Sequence, residues 1–534
     1  MRTTAPRGRS SFGRTLGRAL VLGLCLTGAA CTEDPQDAKT WIKKLDDPRE
    51  QKEAIRQLVR LKDEAAVEPL SKLFKKSKEP EILVAIGKLR SEKAVDLLVE
   101  QLDFTEDGYE LASAAATALQ ELAERDDKGR AAAQRAVDAL NKAAGKKLSI
   151  RSRANIARVE AMKALAAIKD PKAVETLVEI LGTSADEQDF MLNREAAKHL
   201  AVFADPKSVP ALVRGLFMTG RGTDIFQPCR YALVRIGGPA VDELVRAMQR
   251  QNKVLEDDAK KYSFVPGIIV QKTSIVLGDL RDKKATPALL KELDKKDEGL
   301  NGGVSGHQSV LLALGVLGDT SAAKLLTGIV GNAKAPPKYR VAAASALNLL
   351  NATEALPAIL AAARTPYLDV KEKVIDGEKA GLVAEAVTNY ARLLDHDDTP
   401  SLVALLKAAP PDTDLAVAIK NAALRSELVK ECGKNVDCYG KALSDPKSPR
   451  SEKAAFMLGR LGHDGLKYLV KGINHKDSAT RFAILASLAK VATASDKDVQ
   501  QALATQVDLE ATKSGMRDLV EEMRITAVVI GRRS

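Results

Sequence analysis

The side chains best suited to chemistry are few and far apart. Five histidines, His199, His307, His396, His463 and His475, share no spacing. Neither a His-Glu-x-x-His pair, which sets two imidazoles on one helical face for zinc, nor a Gly-x-Ser-x-Gly nucleophile turn occurs. His396 and His463 sit in turns beside Asp395, Asp397 and Asp464, where a local hydrogen bond accounts for them. The 71 acidic residues supply many neighbouring carboxylates, and nothing separates a catalytic pair from a solvated face. Gly302, Gly303 and Gly306 cluster as in a phosphate cradle, but no Gly-Lys-Ser/Thr follows and no strand precedes them. The expectation is a chain that is not an enzyme, with no cofactor, no metal and no small-molecule substrate.

Cysteine usage separates into two kinds. Cys432 and Cys438 enclose Gly433 to Asp437; they form a disulfide if the turn brings their Cα atoms within bridging distance, or remain free thiols at a helix start. No histidine stands near them at a zinc spacing. Cys229 falls in the small-residue phase of a helix and reads as packing. Cys25 and Cys31 belong to the leader. Residues 1–18 carry five arginines and no acid, residues 19–27 are apolar, and Gly28-Ala29-Ala30 precede Cys31. This is the layout of a secretory signal, and the apolar run is far shorter than the roughly 20 residues a spanning helix needs.

The cysteine after small residues, followed by polar Thr32 to Asp37, resembles the lipobox of bacterial lipoproteins. It departs from that pattern in having Gly28 where leucine is usual, the nearest leucine being Leu26. The resemblance implies removal of residues 1–30, lipidation of Cys31, and, because Thr32 rather than Asp follows, an outer-membrane anchor facing the periplasm. A cleaved, unlipidated signal is the alternative. Residues 31–39 would then be a spacer, with Trp41, Ile42 and Leu45 opening the first helical cap.

The elements that must carry these residues are helices. Hydrophobic residues make up 45% of the chain but aromatics only 4%, and the apolar content is mainly Ala, Leu and Val. The formal charge is +11. Without the leader, 77 basic side chains face 71 acidic ones, too weak a bias for a nucleic-acid footprint. The run Lys142, Lys146, Lys147, Arg151, Arg153 and Arg158 contains no acid and could meet phosphate, or be an ordinary solvated loop and helix start.

From residue 67 onward, apolar or small residues recur at i, i+3, i+4 and i+7, the stripe of one helical face. Val95-Leu98-Val99-Leu102 and Val209-Leu212-Val213-Leu216 are clear instances. Thirteen stripes begin at residues 67, 95, 133, 174, 209, 241, 286, 322, 356, 399, 436, 466 and 499, about 36 residues apart on average, a period typical of helical solenoids. Before most lies an alanine-rich helix, as in Arg158-Ala161-Ala164-Leu165 and Arg340-Ala343-Ala346-Leu347. Turns such as Lys169-Asp170-Pro171 and Ala204-Asp205-Pro206 join the two, since Asp caps free N–H groups and Pro fits the first turn.

These units resemble HEAT repeats over nearly everything from residue 40 onward. The resemblance implies an all-α fold, a right-handed α-α superhelix of about 13 helix pairs over residues 40–534, with a concave surface made by the second helices. Three connections exceed what a repeat needs: 249–267 with Tyr262 and Phe264, 294–306 with its glycines, and 364–379 with Tyr367. Insertions in solenoids collect on one face, often the binding face, so Tyr262, Phe264 and Tyr367 are candidate partner contacts; drift in loop length is the alternative. The expected role is a scaffold or adaptor for other envelope proteins, tethered to the membrane by lipid and binding no nucleic acid. Two rivals remain: a bilin lyase or chaperone, because similar repeats occur in bilin lyase subunits, and a nucleic-acid-binding solenoid.

Overall fold

The computed structural model describes residues 34–301, 303–365, 377–445 and 449–533. The leader and Cys31 lie outside the described residues, as does Tyr367. Within them the fold is an all-α, HEAT-like superhelix, with one short antiparallel hairpin, Thr219–Gly220 against Thr223–Asp224. Among the described residues no helix is long and apolar enough to cross a membrane.

All but one of the thirteen stripes begin within two residues of an observed helix start. The exception is the stripe at Ala133, whose helix begins at Val137. Asp126 caps a separate short helix, Asp127–Ala133; Ala133, Ala136, Val137 and Leu140 share one helical phase, so periodicity cannot place the break. The N-terminal cap is the helix Ala38–Lys43, begun by Asp37.

Five units share one joint. Asp63, Ser91, Asp205, Asp282 and Asp319 accept from the backbone N–H two residues on. The single 3-10 turn that follows leads directly into the second helix. Such caps satisfy donors that a helix start otherwise leaves free, for about 1 kcal/mol each.

First helices lie close to one another. A Cβ on Gly87 would stand 2.5 Å from that of Ala118, and one on Gly315 2.9 Å from that of Ala346. With so little between them, these helices converge, and the last of them fold back across the middle of the array. Val234 of the helix Phe226–Ile236 packs with Ala489 of Ser478–Val491 and with Ile525 and Val529 of Arg517–Arg532. The superhelix is therefore not an open spiral with second helices inside, as expected; first helices face the interior of the turn, and the C-terminal repeats close upon it.

Polar residues secure this closure. Arg230 grips Asp279 through Nε (2.7 Å) and Nη2 (3.1 Å) and reaches Glu522 of the last helix at 3.2 Å. Arg460 donates to Asn351 Oδ1 at 3.2 Å and to the Leu393 carbonyl at 2.8 Å.

Candidate interaction surface

The first two long connections run from a second helix to the next first helix, on the edge of the solenoid opposite the tight Asp-capped joints; residues 366–376 of the third lie outside the described residues. The first folds as a helix, Lys253–Lys261, begun by Asn252, whose side chain accepts from Leu255 N–H. Arg214, from the repeat before, holds this helix by bidentate bonds to Asp258 at 2.6 and 3.0 Å and also donates to the Gly182 carbonyl at 3.1 Å. A bidentate guanidinium–carboxylate pair fixes orientation as well as distance.

Two of the aromatic residues singled out in the sequence fall here. Phe264 is half-buried and stacks on Phe217, with ring centroids 5.7 Å apart. The Tyr262 hydroxyl lies 3.3 Å from Ser184 Oγ, and the Lys261 ammonium sits over its ring at 4.8 Å. Lys261 and the Ser184 hydroxyl together hold the phenol below its ordinary range. Three successive connections are thus stitched into one ridge. Three large apolar side chains stand exposed on it among exposed Lys253, Asp257, Lys260 and Lys261: Tyr262 is 44% exposed, Val265 51% and Val254 57%.

The glycine-rich second connection is built around a carboxylate. Asp297, nearly buried, accepts from Gly299 N–H at 3.0 Å, Gly306 N–H at 3.2 Å, Ser305 Oγ at 2.7 Å and the Tyr339 hydroxyl. These donors outweigh burial and lower its pKa. Gly267, at φ +79°, and Gly299 take no side chain because the Val304 carbonyl fills the space where a Cβ would stand. Of the glycines read as a possible phosphate cradle, Gly303 packs against the Pro266 carbonyl and Gly306 against Val270, while Gly302 lies outside the described residues.

Cys432 and Cys438 are joined by a disulfide, Cα atoms 5.4 Å apart. Cys432 ends a first helix, and Asn435 turns the chain by accepting from Cys438 N–H at 3.0 Å. Closing so short a loop restricts the unfolded chain modestly, so Cys438→Ser is expected to lower stability by about 2 kcal/mol, read by urea unfolding under non-reducing conditions. Cys229 is buried against Gly215, and burial pushes its thiol far up.

The other candidates separate. Of the basic run, Lys142 pairs with Asp103 at 2.9 Å, Lys146 donates to the Phe104 carbonyl, and Arg158 is buried, donating to the Ala144 carbonyl at 2.8 Å. Only Lys147, Arg151 and Arg153 are exposed without an ion pair among the described residues, too few for a continuous groove. His396 bonds Asp395, but His463 reaches Asp496 in the following unit rather than Asp464, both at 2.8 Å. Burial pushes His199 down to about 4. Among the described residues no group of His, Cys, Asp or Glu could hold a metal ion.

Arg158 shows a role that the sequence did not reveal. It is the fourth residue of its helix, and Arg340 and Asn193 occupy the same place in theirs. Arg340 Nε donates to the Val330 carbonyl at 2.8 Å, and Asn193 Nδ2 to the carbonyls of Ile180, Leu181 and Thr183. Each satisfies carbonyls left over at the end of the preceding second helix. The signal was a polar residue recurring at one helical place before the alanines.

A family model described as PBS lyase HEAT-like repeat matches residues 157–183, which is one helix pair of the array. No curated protein matches the chain. Among solved structures, the complex of CpcE and CpcF of phycocyanin lyase from Nostoc sp. PCC7120 is 17% identical, covering 62% of this chain and 93% of that one, with a TM-score of 0.24. Importin beta is 13% identical over 94% of this chain and 85% of that one, TM-score 0.29. Kap121p is 13% identical over 92% of this chain and 48% of that one, TM-score 0.28. Values this low give no ground for transferring an activity or a partner.

Proposed function

We propose that the protein is a non-catalytic scaffold or adaptor that binds other proteins along its connection-bearing edge, tethered through lipid on Cys31 to the outer membrane and facing the periplasm. The observation that supports it is the ridge around residues 250–267, where Val254, Tyr262 and Val265 are exposed on a segment pinned by Arg214–Asp258 and Phe217–Phe264. Apolar side chains held rigid in advance lose little entropy on docking. The leader pattern supports the tether.

The test is photo-crosslinking in intact cells from position 254, followed by mass spectrometry of the adducts. A defined set of envelope proteins is expected, and Tyr262→Ala with Val265→Asp should cut recovery at least tenfold. Adducts that do not change with the double substitution would sink the docking role. Cys31→Ser is expected to move the protein from the membrane fraction to the soluble one; unchanged fractionation rejects lipidation.

The match at residues 157–183 is the one observation that favours the bilin lyase reading. Within that stretch Arg158 is buried and its bonds are structural. Visible absorbance of a bound pigment in the purified protein would favour this second reading over the first.

A further inference from the structure

Where the C-terminal repeats close on the middle of the array, the seam leaves a cleft of about 520 Å³. Its walls bring together the C-terminal ends of five first helices, and they carry Arg281, Lys283, Lys490, Arg532 and Arg533 with no acidic residue among them. Asn351 adds an amide. Of the acids near these cations, Asp279 and Glu522 are held by Arg230, and Asp319 accepts from Thr286 and Ser321.

Helix C-termini attract cations, and Arg533 is used that way, donating to the Ala489 carbonyl at 2.7 Å; Lys490 donates instead to the side chain of Asn351, at Oδ1, 3.4 Å away. Arg281, Lys283 and Arg532 make no hydrogen bond or ion pair among the described residues. Arg281 Nε is buried and without a partner. Burial first, then Arg460 and Arg281 close by, push Lys490 down to about 7. A half-buried guanidinium with an idle donor costs stability unless something completes it.

We infer that this cleft is a binding site for a small molecule bearing two or more phosphate groups. Guanidinium forks match phosphate oxygens bidentately, several cations around one space call for more than one negative charge, and leucine walls from the helix ends leave room for an apolar portion. This goes beyond the scaffold reading and departs from the expectation that no small molecule binds. The ligand would tie the last helix to the helix Ile268–Leu280 and so favour the closed array.

The test is calorimetric titration of the purified protein with inorganic pyrophosphate, with sedimentation on phosphatidylglycerol and phosphatidylcholine vesicles alongside. Saturable pyrophosphate binding is expected, weakened at least tenfold by Arg281→Gln or Arg532→Gln and unchanged by Lys147→Gln with Arg151→Gln on the exposed basic loop. Selective sedimentation on phosphatidylglycerol, reversed by pyrophosphate, would identify a lipid headgroup as the source; pyrophosphate binding without it, a soluble phosphate. If the arginine variants do not fold, Lys283→Gln, an exposed side chain, carries the test with an expected weakening of about threefold. Absence of saturable binding to either probe, equal binding by the variants, or equally tight binding of citrate would overturn the assignment.

Discussion

Lys453→Ala is expected to destabilise the protein by about 3–5 kcal/mol, among the largest losses any single substitution here should cause. Lys453 is fully buried, with 0% exposure. It is the fourth residue of the helix Arg450–Arg460, and its Nζ donates to the carbonyls of Arg392, at 2.9 Å, and Leu394. Those carbonyls end the helix Gly377–Leu393 and have no partner within it. Alanine would leave each with Arg460 as its remaining donor, at 3.0 and 3.2 Å, and open a cavity where the aliphatic stem lay. Lys453→Met fills the volume without the donor and should cost about half as much. Burial, with Arg460 and Arg425 nearby, pushes the ammonium well below its ordinary range. Between that lowered value and the unfolded value of about 10.4, the unfolded chain binds more protons, so the contribution of this group to stability rises with pH. Urea unfolding at pH 7 and pH 9.5 checks both points: the gap between wild type and Lys453→Met should widen at the higher pH, and a gap that stays constant or narrows rejects the assignment.

Arg230→Ala should open the seam. Arg230 stands between Asp279, nearly buried on the helix Ile268–Leu280, and Glu522 on the last helix. Burial penalises the guanidinium, but the two carboxylates more than offset this and raise its pKa. Removing it leaves two acids facing each other in a poorly solvated place, a change that costs about 3–5 kcal/mol when a buried pair loses one partner. Glu522 already has its pKa raised, by burial first and by Asp279 second, so part of the loss should be recovered by protonation below neutral pH. The expected result is a larger radius of gyration by small-angle scattering at pH 7.5 and faster amide exchange confined to residues 517–532. Arg230→Lys keeps the charge but not the fork and should fall between. A scattering profile and exchange pattern identical to wild type would show that the apolar contacts of Val234, Ile525 and Val529 hold the seam unaided.

Much of the architecture was readable in the sequence because each repeat is governed by neighbours close along the chain. Val209-Leu212-Val213-Leu216 announces its helix, and Asp205-Pro206 its start, without reference to anything distant. The same locality let Tyr262 and Phe264 be picked out on an over-long connection, since length and aromatic content are both local properties. The seam is different in kind. Val234 meets Ile525 across nearly three hundred positions, and neither residue departs from the alternation of its own helix. Gly87 and Gly315 carry no mark of their close approaches in the sequence, because how tightly they curl the array depends on the sum of many small rotations. Asp297 was unremarkable for a similar reason: its four donors come from three segments folded against one another. Arg158 and Arg340 stood out as recurrent, yet the carbonyls they serve are defined only once the preceding helix has ended.

Closure across the seam also changes what one repeat is worth. In a linear array each terminal unit is held by a single neighbour, so shortening the chain removes stability in equal steps. Here the final unit has two neighbours, one adjacent in sequence and one far upstream, and trimming it takes away both at once. The units from about residue 226 onward should consequently melt together as a block, while those before it, supported only in series, can fray one at a time and give the molecule a compliant arm beside a stiff body.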